Sequence, residues 1–138
     1  MNIEHEKELT DIRGGLSKTL NIEFLSTDEP DTCMARMAVD DSNRQPFGFL
    51  SGGATLALCE TLAGVASMAL CPGRACLGIS VSGNHMRAVP VGETVTALAR
   101  LQHKGRTLHE WQIEVRNSRG ELVSSVHVTN YVNSPHKR

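Results

Sequence analysis

From Gly52 to Cys71 the chain runs through twenty residues that carry one charge, Glu60. No other charged side chain occurs between Arg44 and Arg74. Leu56, Leu58, Leu62, Val65, Met68 and Leu70 put apolar groups on nearly every side of a helix drawn through this stretch, and such a helix has to be buried. Ser51-Gly52-Gly53 marks its start and Pro72-Gly73 its end. The stretch is as long as a membrane span, but Thr55, Glu60, Thr61 and Ser67 interrupt it and no basic flank sits close. It therefore reads as the inner helix of a folded domain. A chain of 138 residues has room for one such domain with one core.

The remaining segments read as strands that could wrap this helix. Leu20, Ile22 and Phe24 alternate with polar neighbours, and Cys33, Ala35, Met37 and Val39 alternate again after the Asp28-Glu29-Pro30-Asp31 turn. Beyond the helix, strands are expected over 77–81, 94–101, 107–116 and 123–132. The last three are joined by short turns, as in an antiparallel meander. Residues 1–15 are expected to form a helical extension through Leu9 and Ile12, and residues 133–138 a tail. Two strands, a helix and four strands make an α+β domain, with an antiparallel sheet curled around a central helix.

Composition narrows the function. The net charge is −1 and aromatic residues are 4% of the chain, so neither a basic footprint nor base-stacking platforms for nucleic acid are present. The N-terminal segment is charged and lacks the apolar core of a secretory signal, which points to the cytoplasm, with no membrane partner. In that compartment Cys33, Cys59, Cys71 and Cys76 are expected as reduced thiols serving as small core residues. Neither they nor His103, His109 and His127 show metal-ligand spacing.

Glu60 is the residue that does not belong in its surroundings. Burying an unpaired carboxylate costs several kcal/mol or drives it to take up a proton, and a carboxyl with a raised pKa suits general-base work. Composition alone leaves open a second reading, in which Glu60 faces water on a thin polar stripe with Thr61, Gly64 and Ser67. The helix start offers backbone N–H groups and a positive dipole end suited to a developing oxyanion, although Ser51-Gly52-Gly53 also reads as a plain glycine turn. Gly52 and Glu60 are eight residues apart, about 12 Å along a helix axis, too far to meet at one carbon. If both act on one substrate they come from different subunits, which requires at least a dimer.

The stretch Gln45-Pro46-Phe47-Gly48-Phe49-Leu50-Ser51-Gly52-Gly53-Ala54, continuing through Leu58-Cys59-Glu60-Thr61, resembles the signature of PaaI-like hotdog thioesterases. Asn84-His85-Met86-Arg87 and Gly105-Arg106…Trp111 are similar to that family as well. The resemblance implies a hotdog fold, a double-hotdog dimer or a tetramer of two, and hydrolysis of an acyl- or aryl-CoA thioester without a cofactor. It implies Glu60 as nucleophile or general base and the Gly52 N–H as the group that polarises the thioester carbonyl. It further implies that Gln45 helps to position that carbonyl, that Thr61 orients the attacking water, that Ser51 belongs to the catalytic motif and that Gly53 is a substrate-binding residue. In that family the segment with His85 lies beside the substrate pocket, so His85 is a substrate-binding candidate, and Arg87, Lys104 and Arg106 are candidates to pair with the CoA phosphates, against a plain surface role for each. One departure stands out: the family usually has His-Gly-Gly where this chain has Ser51-Gly52-Gly53. Serine can donate a hydrogen bond but cannot carry a positive charge. That substitution motivates a second reading, a hotdog protein that binds an acyl- or aryl-CoA without turnover. A hydratase on the same fold is less favoured, because its paired histidine and acid motif is not found here.

Overall fold

The computed structural model describes residues 1–133. The expected tail therefore lies, from residue 134 onward, outside the described residues. The chain forms helices α1 (Glu4–Arg13) and α2 (Leu16–Thr19), strands β1 (Glu23–Leu25) and β2 (Thr32–Ala38), the long helix α3 (Gly52–Leu70), and strands β3 (Cys76–His85), β4 (Thr94–Lys104), β5 (Leu108–Arg116) and β6 (Leu122–Val132). The six strands make one antiparallel sheet in the order β1-β2-β4-β5-β6-β3. The sheet curls around α3, which is the hotdog arrangement.

Period-two alternation decides which face of the sheet meets the helix. Cys33, Ala35 and Met37 of β2, Val95, Ala97 and Ala99 of β4, Trp111, Ile113 and Val115 of β5 and Val126 and Val128 of β6 are all buried. They share one core with Leu58, Cys59, Leu62, Ala63, Val65 and Ala66 of α3. The helix is less enclosed than its composition predicts. Leu56, Met68 and Leu70 stay half-buried, because a single sheet can cover one side of a helix only.

Ser67 lies inside this core and so is not part of a water-facing stripe with Glu60. Its Oγ accepts from Trp111 Nε1 and from Asn130 Nδ2, both at 2.9 Å. With both lone pairs used, its hydroxyl donates to His109 Nδ1 at 2.9 Å. His109 is therefore the Nε2–H tautomer, and that nitrogen sits 3.7 Å from Cys71 Sγ. His109 is fully buried, and burial holds its pKa below the ordinary imidazole range, helped by the charges of Lys104, Arg74 and His103.

Three further expectations are corrected. The alternation at Leu20 and Ile22 is real in burial but not in strand. Asn21 adopts a left-handed φ of 57° just after α2, a conformation asparagine tolerates, and only residues from Glu23 pair with β2. In α1 the buried positions are Ile3, just before it, and Glu6, while Ile12 is 80% exposed. Of the cysteines, Cys33 and Cys59 are core residues whose thiols burial pushes up to about 12, whereas Cys71 and Cys76 are half-buried where α3 ends and β3 begins.

Candidate active site

The chain ahead of α3 is tied down before the helix starts. Bridges join Arg44 to Leu50 and Phe49 to Pro90, and Ser51 N donates to Asn43 O at 2.8 Å. Within this loop Gly48 takes a φ of 88°, which favours glycine. The Gln45 side-chain oxygen Oε1 accepts from Phe47 N at 2.5 Å and from Phe49 N at 3.4 Å. The loop thus uses the acceptor of Gln45 and leaves its amide NH2 as a donor. Ser51 is the N-cap residue, in extended conformation, and its side chain caps none of the helix amides among the described residues. The first N–H groups of α3 are accordingly available to another acceptor.

His85, at the end of β3, closes over this helix end. A Cβ added at Gly52 would lie 2.8 Å from His85 Nε2 and 2.9 Å from its Cδ2. Only glycine lets the ring rest there. The other ring nitrogen, Nδ1, is 2.7 Å from Oγ of the fully buried Ser124 on the paired strand β6. Gln45, Gly52, Thr55, His85, Arg87 and Ser124 line one cleft of about 160 Å³. Arg87 also pairs with Glu121 at 3.5 Å, a surface ion pair that contributes at most about 1 kcal/mol.

Glu60 lies two turns along α3 and is half-buried in the single protomer, so the desolvation expected of it is incomplete there. Its carboxylate rests against the backbone of β3 at Gly78. A Cβ built at Gly78 would come within 3.0 Å of Glu60 Cδ and Cγ and closer still to Oε2. The adjacent β-bulge between Gly78 and Ser80 marks the same spot. Thr61 donates its hydroxyl to Ala57 O at 2.7 Å, which leaves its oxygen only as an acceptor for water.

The structure thus gathers Gln45, Gly52, His85 and Arg87, with Ser51 and Gly53 on the same helix turn, and keeps Glu60 and Thr61 apart from them. Arg106 joins neither group. It sits in the β4–β5 turn, where its carbonyl accepts from Arg74 beyond the far end of α3. Sequence reasoning missed Gly78 and Ser124. A glycine inside a strand pattern is a signal for close approach and marks Gly78. A serine in a strand carries no such signal, so Ser124 was invisible without its partner.

Residues 47–124 match the family model of the thioesterase superfamily. The chain belongs to the thioesterase superfamily. The matched span runs from the loop ahead of α3 to Ser124 and includes Gly52, Glu60 and His85. The 1,4-dihydroxy-2-naphthoyl-CoA hydrolase of Escherichia coli (strain K12) is 35% identical over 100 residues, covering 72% of this chain and 73% of that protein. A solved thioesterase from Haemophilus influenzae superposes with a TM-score of 0.87 at 32% identity, covering all of this chain and 94% of the other. The PaaI protein of the E. coli phenylacetic acid degradation operon shares the fold, with a TM-score of 0.82 at 20% identity over 97% of this chain and 98% of its own. This hotdog-fold chain is a thioesterase-family enzyme.

Proposed function

We propose that this thioesterase hydrolyses an acyl- or aryl-CoA thioester at a site shared between two copies of the chain. The observation that carries the reading is the separation within one protomer. Gly52, Gln45 and His85 stand at the start of α3, and Glu60 stands about 12 Å further along it against Gly78. Two such helices packed antiparallel bring the Gly52 amide of one chain beside the Glu60 carboxylate of the other. The edge strand β3 supports that assembly. It pairs only with β6 among the described residues, and it exposes Leu77 at 57% and Ile79 at 60%. A ten-residue edge strand that exposes two large apolar side chains is a template for another strand.

In the composite site the Gly52 N–H and the Gln45 amide hold the thioester carbonyl and stabilise the oxyanion that forms on it. Glu60 from across the interface either activates water or attacks the carbonyl carbon to give an anhydride that water opens. The thiolate of CoA leaves and the free acid remains. The coenzyme A class is supported by the name of the E. coli relative. Thiol release from a panel of acyl- and aryl-CoAs tests the reading. Glu60→Gln is expected to reduce turnover by several orders of magnitude with an unchanged circular dichroism spectrum, and full turnover by that variant would exclude the mechanism.

The serine at position 51 favours one alternative, binding without chemistry. Tight binding across the panel with no thiol released would support it.

A further inference from the structure

We infer that His85, held by Ser124, supplies a further side-chain hydrogen-bond donor, an imidazole N–H, at the thioester carbonyl beside the Gly52 amide. The inference rests on the thioesterase mechanism proposed above and assigns a new role within it.

The donor state of His85 follows from hydrogen-bond accounting. Ser124 is fully buried, and its hydroxyl has one side-chain partner among the described residues, His85 Nδ1 at 2.7 Å. A hydroxyl carries one proton to give. If Nδ1 held the imidazole proton, Ser124 could only accept, and its own O–H would be buried without an acceptor, which proteins avoid. Ser124 therefore donates to Nδ1, and the neutral ring carries its proton on Nε2. The edge of the ring bearing Nε2 is the one that lies over Gly52, 2.8 Å from where a Cβ would stand. The geometry thus puts a side-chain N–H beside the first amide of α3, at the end of the helix where the carbonyl oxygen is expected. Ser51 Oγ lies instead against Gly53, 3.6 Å from the corresponding Cβ position.

The ring is also anchored at both ends. His85 and Ser124 are direct partners in the β3–β6 register, so the backbone ladder fixes the spacing of the two side chains. The ring sits against α3 through a glycine, where no other residue leaves room for it. His85 is the catalytic residue in this proposal, because it touches the reacting oxygen. Ser124 is a positioning residue, because it acts through His85 alone.

Three variants and one spectrum test it. His85→Ala is expected to lower kcat by about 10²-fold, the usual cost of one lost oxyanion donor, with KM little changed. Ser124→Ala is expected to lower kcat less and in the same manner, with His85→Ala/Ser124→Ala no worse than His85→Ala alone. Adding Ser51→His to His85→Ala is expected to restore at least tenfold, since it returns an imidazole to the start of α3. ¹⁵N chemical shifts of the His85 ring are expected to show a protonated Nε2 in the parent and a mixture of tautomers in Ser124→Ala. A His85→Ala variant that raises KM and leaves kcat untouched would make His85 a CoA contact and overturn the inference, as would a ring protonated at Nδ1. If the parent chain released thiol from no CoA thioester, the proposed function itself would fall, and the ring shifts would still decide the Ser124–His85 pairing.

Discussion

At Gly52 and at Gly78 the missing side chain makes room for a functional one: the His85 ring in the first case and the Glu60 carboxylate in the second. The two glycines predict opposite tolerances to change. Gly78→Ala places a methyl group against the far end of a flexible side chain, so Glu60 swings away at little cost to the fold. Turnover is expected to fall at least tenfold while the urea midpoint stays within error of the parent, and a variant with parental activity would show that the carboxylate does not work from this position. The buried set around Ser67 predicts a stability effect instead. His109 is neutral when folded, because burial lowers its pKa, and the unfolded chain takes up its proton more readily. Its contribution is therefore complete above about pH 6.5 and is lost as the pH falls below that value toward the lowered folded pKa. Urea midpoints recorded between pH 7.5 and 5 are expected to decline in the parent and to flatten in His109→Gln. Carboxylates such as Glu110 and Glu121, whose pKa values are lowered by their hydrogen bonds, act at lower pH and do not blur that window.

Among the elements, α3 and β3 carry opposite lessons about what a pattern can say. The α3 pattern was legible because a run of apolar residues with Gly at one end and Pro-Gly at the other permits little else. Its exposure was not legible: which side stays open depends on how far the sheet curls, and that is a property of strands distant in sequence. β3 was expected as 77–81, yet it runs from Cys76 to His85, because Gly78, Gly83 and Asn84 weaken the strand pattern and only pairing with β6 extends it. The additional length places His85 over Gly52. It also leaves an edge with Leu77 and Ile79 exposed, and here the dimer is testable. Ile79→Lys puts a charge on that edge, a device that natural sheets use against edge pairing. The variant is expected to sediment as a folded monomer without thioesterase activity. A monomer that kept full activity would show that one chain is sufficient.

At the scale of the whole molecule, the shared site makes a quantitative demand. Gly52→Pro removes the backbone donor at the first helical position, where a proline backbone is tolerated, and its ring also displaces His85 from the same half-site, while Glu60→Ala removes the carboxylate. Each variant alone is expected to be inactive. In a dimer with two symmetric sites, mixing them after reversible unfolding gives half heterodimers, each with one intact site, so about a quarter of the parent activity should return. No recovery, with heterodimers verified by mass spectrometry, would argue that donor and carboxylate serve one substrate from the same chain.

The sequence by itself determined the inner helix, the antiparallel strands around it and the separation of Gly52 from Glu60, since these follow from local periodicity and from the fixed rise of a helix. The Gln45-to-Glu60 motif was equally legible, because it is contiguous. Only the tertiary structure decided which polar groups meet. It sent Ser67 inward to His109, Trp111 and Asn130, left Arg106 at a remote turn, and set Ser124 under His85. The physical reason is the same in each case: a hydrogen bond depends on a few tenths of an ångström between residues dozens of positions apart, and only strand register and helix–sheet packing fix distances of that kind.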